Sequence, residues 1–254
     1  MHTVDVVVRR AGLLLRGRIE KKNDGSCPLV MLLHGFAGRM ASSKDEWMQQ
    51  ISDRLTDAGY ATLQFDFNGH GSSDGEFSEM TVFGEIEDAA AFLQYAYSLP
   101  WVTTISILGH SQGGVVGGIL AGLYPDRVHR LALLCPAASM VDDAWAGRCF
   151  EATYDTEHIP DTIDVGMGRL VGGLLFREIK LLPLHEMTAH FHGPTLLVCA
   201  GQDHAVSEDG IRKYLRNAEK RTFLRFEHLN HGLGNDASEM ADMVRTVTAF
   251  LLAP

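Results

Sequence analysis

The chain has 254 residues, 46% hydrophobic and 21% charged, with a formal net charge of −10. This length and balance suit a folded chain with a large core and exclude a disordered polymer. The acidic charge argues against a nucleic-acid or anionic-membrane surface, because both need a concentrated basic patch.

The N-terminus, MHTVDVVVRRAGLLLRGRIE, reads as two alternating strands, 4–9 and 13–20, joined at Ala11-Gly12. It lacks the unbroken apolar stretch and cleavage site of a signal peptide. PLVMLL (28–33) is a continuous apolar strand, and 44–59 is helical with Trp47, Ile51 and Leu55 on one face and Gly59 closing it. ATLQFDF (61–67) is the next strand. Residues 81–99 form a helix with Thr81 as N-cap and an expected apolar stripe of Phe83, Ile86, Ala90, Leu93 and Tyr97. TISILG (104–109) is a strand followed by a helix from Ser111 to about Tyr124. Strands at 128–135, 194–200 and 221–227 and helices near 207–218 and 236–252 complete the series. RNAEKR (216–221) reads as a solvated helix end.

Alternating strands and helices, with strands apolar along their length, predict an α/β fold whose mostly parallel sheet has helices on both faces. The first hairpin supplies an antiparallel edge. Residues 136–192 break the rhythm and are expected to be a small inserted cap over the sheet's C-terminal edge, in a single domain spanning 1–254. No apolar run approaches the length of a membrane span. Cys27, Cys135, Cys149 and Cys199 lack metal-type spacing, and Cys135 and Cys199 read as buried strand ends. Together these features predict a cytoplasmic protein. His185, His190 and His192 lie close together, but they make no i, i+4 pair with a glutamate between, and no cysteine or carboxylate set completes a metal shell.

Gly109-His110-Ser111-Gln112-Gly113 fits G-x-S-x-G on a predicted strand–turn–helix. The glycines make room for a tight turn that exposes the serine hydroxyl at a helix N-terminus. A serine nucleophile needs a base, and the base an orienting acid, supplied in order by later strand ends. Asp203 follows LLVCAGQ, and His231 lies in the loop after the last strand. His204 and His228 are rival bases, while the earlier strand end has no carboxylate before Asp142. The backbone N–H groups of Phe36, in MLLHGFAG, and of Gln112 are candidate oxyanion donors. His34, Asp66 and His70 read as loop-fixing residues, and the Gly-rich loop 66–75 lacks the lysine of a phosphate cradle.

With HGFAG, DFNGHGSSDGEF, GHSQGG, AGLYPD, EHIPD, GQDHAV and NHG in place, the chain resembles the bacterial feruloyl (cinnamoyl) esterases of the α/β-hydrolase fold. The resemblance implies a serine esterase with Ser111, Asp203 and His231 as triad and Phe36 and Gln112 as oxyanion donors. It implies a cap holding the hydroxycinnamoyl group of a small-molecule plant-derived ester, with Asp143 of MVDDAWAG accepting the phenolic hydroxyl. Trp145 and Tyr154 are further candidate substrate contacts. Equally, Asp142 and Asp143 suit a helix cap and Trp145 a packing anchor. Phe150 and Leu175 stand where relatives can carry polar partners for the phenol. The expected reaction is acyl transfer to water through an acyl-enzyme, without metal or organic cofactor. A general short-chain carboxylesterase and a non-catalytic binding protein are the alternatives, and the family suggests a homodimer.

Overall fold

The apolar runs spaced along the chain lie side by side in one eight-stranded sheet. The computed structural model describes residues 2–166, 168–216 and 220–254. Strands β1 (His2–Arg10) and β2 (Leu13–Lys21) form the antiparallel hairpin, turning at Ala11 and Gly12, both at positive φ. Then follow β3 (Cys27–Leu33), helix α1 (Trp47–Asp57), β4 (Ala61–Phe65), α2 (Val82–Ser98), β5 (Val102–His110), α3 (Gln112–Leu123) and β6 (Val128–Leu134). The segment after β6 carries short elements: α4 (Met140–Trp145), β7 (Arg148–Cys149), β8 (Ala152–Thr153), β9 (Thr162–Asp164), β10 (Leu170–Gly172), α5 (Gly173–Ile179) and α6 (Leu184–Ala189). The chain closes with β11 (Thr195–Gln202), α7 (Glu208–Lys213), β12 (Arg221–Asn230) and α8 (Ala237–Leu252).

The strand order is β1-β2-β4-β3-β5-β6-β11-β12. From β4 to β12 all neighbours are parallel, and β2 joins β4 antiparallel. After β3 the chain crosses to β4 on one side, then to β5 on the other, so a crevice opens at the C-terminal ends of β3 and β5. Side chains alternate between two apolar layers: Leu29, Met31 and Leu33 face the layer of α2 and α3, while Val30 and Leu32 face that of α1 and α8. Burial on both faces explains why these strands are apolar throughout.

Several expected features sit differently. The buried face of α2 is Val82, Glu85, Ile86, Asp88, Ala89, Phe92, Leu93 and Ala96, whereas Phe83 and Tyr97 are 45% and 60% exposed. Two acids occupy the inner face because partners await them there. Arg10 and Asn68 bind Asp88, and Gln112 binds Glu85. Helix α1 closes as expected, with the amides of Gly59 and Tyr60 bonding back to Thr56 and Leu55. Helix α7 is shorter than 207–218; residues 217–219, and with them part of the basic run 216–221, lie outside the described residues. Strand β12 continues to Asn230, three residues beyond its expected end. Cys135 and Cys199 are buried.

Candidate active site

Strand β5 delivers Ser111 into a turn with φ 55° and ψ −122°, a backbone conformation strained for a residue with a Cβ. The turn is pinned on both sides: the Ser111 amide donates to Leu134 O (3.0 Å), and Ser111 O accepts from Ala137 N (3.0 Å) and Gly114 N (2.9 Å). The flanking glycines are a steric necessity. A Cβ on Gly109 would stand 2.2 Å from Gly113 O, and one on Gly113 2.2 Å from His34 O.

Asp203 is the first residue past β11 and His231 the first past β12. His231 Nδ1–H donates to Asp203 Oδ2 at 2.8 Å, and His231 Nε2 lies 2.8 Å from Ser111 Oγ. Asp203 Oδ1 accepts the amides of Ala205 (2.8 Å) and Val206 (2.9 Å). Burial pushes the Asp203 carboxyl up, but the hydrogen bond and charge of His231 and these amides outweigh it and leave the pKa below its ordinary value. An ionised Asp203 fixes the proton of neutral His231 on Nδ1, so Nε2 is free to accept from the serine hydroxyl. His204 and His228 make no hydrogen bond to Ser111 among the described residues, and Asp142 instead pairs with Lys213 at 3.0 Å. His110, which sequence reasoning passed over, donates from Nε2 to the His231 carbonyl at 2.7 Å.

The loop after β3 lies against the serine: a Cβ on Gly35 would stand 2.9 Å from Ser111 Cβ. His34 is buried and shapes this loop, its Nδ1–H donating to Gly35 O (2.9 Å) and its Nε2 accepting the Phe67 amide (3.2 Å). Burial, first, and the neighbouring His70 push its pKa down to about 4, which keeps it neutral. Asp66 accepts the amides of Met40 and Ser72 at 2.7 and 2.8 Å, and His70 Nδ1–H donates to Asn68 O at 2.9 Å. The backbone N–H groups of Phe36 and Gln112 have no hydrogen-bond partner among the described residues.

Residues 28–150 match the family model described as the alpha/beta hydrolase fold. The chain has the α/β-hydrolase fold. Est1E of Butyrivibrio proteoclasticus, solved with ferulic acid bound, superposes with a TM-score of 0.90 at 28% identity, over 97% of this chain and 98% of that one. A monoacylglycerol lipase of Rattus norvegicus is 27% identical over 114 residues, 44% of this chain and 32% of its own length. The dihydrolipoyllysine-residue acetyltransferase component of the acetoin cleaving system of Cupriavidus necator is 31% identical over 122 residues, 48% of this chain and 30% of its own. The aligned part thus spans about a third of these curated relatives.

A cavity of about 820 Å³ lies over Ser111 and His231, lined by Phe36, Asp143, Arg148, Phe150, Leu175 and Phe176 among others. Asp143 Oδ1 accepts from Arg148 at 2.9 Å. Sequence reasoning missed Arg148, although it follows the acid by five residues. Trp145 and Tyr154 do not line this cavity. Trp145 is 61% exposed, beneath Lys180 at 4.8 Å, and is therefore not the buried anchor considered above. Two residues apart on α4, Asp143 and Trp145 point to nearly opposite sides of the helix. The Tyr154 hydroxyl donates to Ala144 O at 3.1 Å, and its ring packs on Phe176. Ser139 caps α4 without a side-chain hydrogen bond. Among the described residues no group of His, Cys, Asp or Glu has the arrangement of a metal site, and no helix is long and apolar enough to cross a membrane.

Proposed function

We propose that this chain is a serine carboxylic-ester hydrolase acting on feruloyl and related hydroxycinnamoyl esters. The observation that carries the reading is the line from Ser111 Oγ through His231 to Asp203, two contacts of 2.8 Å, opening into the cavity above them. His231 takes the hydroxyl proton as Ser111 attacks the ester carbonyl, and the amides of Phe36 and Gln112 receive the oxyanion. Collapse expels the alcohol, protonated by His231. Water, deprotonated by the same imidazole, then hydrolyses the acyl-enzyme. Asp203 keeps the tautomer and stabilises the imidazolium. The segment 136–192 acts as the cap, and Asp143 accepts the phenolic hydroxyl at the far end of the acyl group. The structural likeness to Est1E supports the aromatic acyl class. In this reading the enzyme is a cytoplasmic homodimer, which native mass measurement of the purified chain tests.

A short-chain aliphatic specificity is favoured by a different observation: Arg148 already engages Asp143, and Phe150 and Leu175 add apolar surface to the lining. Turnover of methyl ferulate against p-nitrophenyl butyrate, for wild type and Ser111→Ala, separates the readings. Preference for ferulate that vanishes in the variant supports the first. Preference for butyrate supports the second. Activity that survives Ser111→Ala removes both.

A further inference from the structure

Helix α2 buries two carboxyl groups that the mechanism above does not use, Asp88, which is paired with Arg10, and Glu85. Glu85 is 1% exposed. Its Oε2 accepts the side-chain amide of Gln112 at 2.8 Å, while Oε1 has no partner among the described residues. The same Gln112 amide reaches Met80 Sδ at 3.8 Å. Gln112 is the first residue of α3, and its backbone N–H is one of the two assigned to the oxyanion.

We propose that Glu85 is a positioning residue: buried on α2, it anchors the Gln112 side chain, and through it the amide that faces the oxyanion. The inference rests on the serine-hydrolase reading. Tethering the side chain of the first helical residue limits its rotation, so the N–H stays aimed at the point where negative charge develops. Neutrality matters because an ionised Glu85 would place a like charge beneath that point.

The surroundings favour the neutral form. On its own helix the nearest acid is Asp88, whose carboxylate is taken by Arg10 of β1 at 2.6 Å and by Asn68. Arg10 also approaches Glu87 at 3.5 Å, so it is already engaged. From α5 comes another acid, Glu178, which accepts the Phe83 amide. Helix α3 presents the uncharged Gln112, and the titratable end of β5, His110, is turned to His231. Burial first and then Asp88 and Glu178 push Glu85 up to about 8, against the hydrogen bond from Gln112. By contrast, burial moves Cys149 and Cys199 up to about 11.

The test is kcat and KM for p-nitrophenyl butyrate between pH 6 and 10, corrected for uncatalysed hydrolysis, in wild type, Glu85→Gln and Glu85→Met. Glu85→Gln keeps an acceptor for Gln112 and cannot ionise; Glu85→Met fills the space without an acceptor. Wild type is expected to lose kcat as pH rises through about 8, at constant KM. Glu85→Gln should match it at neutral pH and stay flat above, and Glu85→Met should fall about tenfold at every pH. Profiles of both variants superimposable on wild type overturn the inference and leave the hydrolase reading standing. Absence of Ser111-dependent turnover in wild type overturns both. If Glu85→Gln does not fold, the infrared carbonyl band of the buried acid in wild type decides. Its loss in step with kcat supports the role, and its loss at constant kcat overturns it.

Discussion

His110 donates a 2.7 Å hydrogen bond from Nε2 to the backbone carbonyl of His231, so the residue before Ser111 carries the His231 loop. The two rings lie 5.2 Å apart, with Trp47 edge-on to His110 at 5.4 Å. Burial, then the neighbouring His231, pushes His110 down to about 4, which keeps it neutral and its Nε2 proton committed to the carbonyl. His110→Phe retains an aromatic ring but loses the donor. Steady-state kinetics should show kcat lowered about tenfold at little-changed KM, a misalignment effect, while the thermal midpoint shows the variant folded. A rise in KM alone would contradict this.

The assignment of roles around Ser111 predicts a hierarchy of losses. Ser111→Ala should abolish both turnover and covalent labelling by a fluorophosphonate. Asp203→Asn preserves the geometry but lets His231 adopt the wrong tautomer, and should lower kcat by about 10⁴ while leaving the serine in place. Labelling rates measured beside ester turnover distinguish a misfolded variant from an inactive one.

Asp143 and Arg148 form a pair open enough to water that it is worth no more than about 1 kcal/mol. A phenolic hydroxyl donating to the same carboxylate would contribute about 1.5–3 kcal/mol, enough for a phenolic ester to compete for it under the proposed function. Asp143→Asn should therefore weaken kcat/KM for methyl ferulate about tenfold or more while sparing methyl cinnamate, which lacks the hydroxyl. Arg148→Met should shift the same ratio the other way. Equal effects on both esters would remove Asp143 from substrate recognition.

Glu85 also links stability to pH. Its native pKa is raised from 4.5 to about 8, so between those values the folded state binds a proton that the unfolded state has released. The contribution is fully present below the unfolded value, declines as pH rises through the window and is gone above about 8. Glu85→Gln, having no such proton, should gain thermal stability relative to wild type from pH 4.5 to 8, with no further gain above. Melting curves across that range check the slope. His34 and His110 act in the opposite sense: both are lowered from 6.5 to about 4, so their contribution is present above the first value and lost as pH falls through the second.

The α/β alternation, the apolar strands and the strand–turn–helix around Ser111 were legible in the sequence because local patterning sets them. A strand buried on both faces must be apolar throughout, and a turn this tight must be glycine at 109, against the start of α3, and at 113, against the end of β3. The inner face of α2 was not legible. Apolar periodicity chose Phe83 and Tyr97, but Arg10, Asn68 and Gln112 drew Asp88 and Glu85 inward from positions distant in the chain. The short segments after β6 had no periodicity long enough to assign faces, so Trp145 and Tyr154 were placed beside Asp143 only by their nearness in sequence.

The sequence alone determined the class of fold and the candidate nucleophile, acid and base, since strand ends in a parallel sheet gather at one edge whatever their spacing along the chain. Only the tertiary structure decided that His231 rather than His204 or His228 meets Ser111, that Arg148 engages Asp143, and that a buried acid lies behind Gln112. Those outcomes depend on contacts between residues far apart in the chain, whose geometry is set by how the elements pack and not by any local pattern.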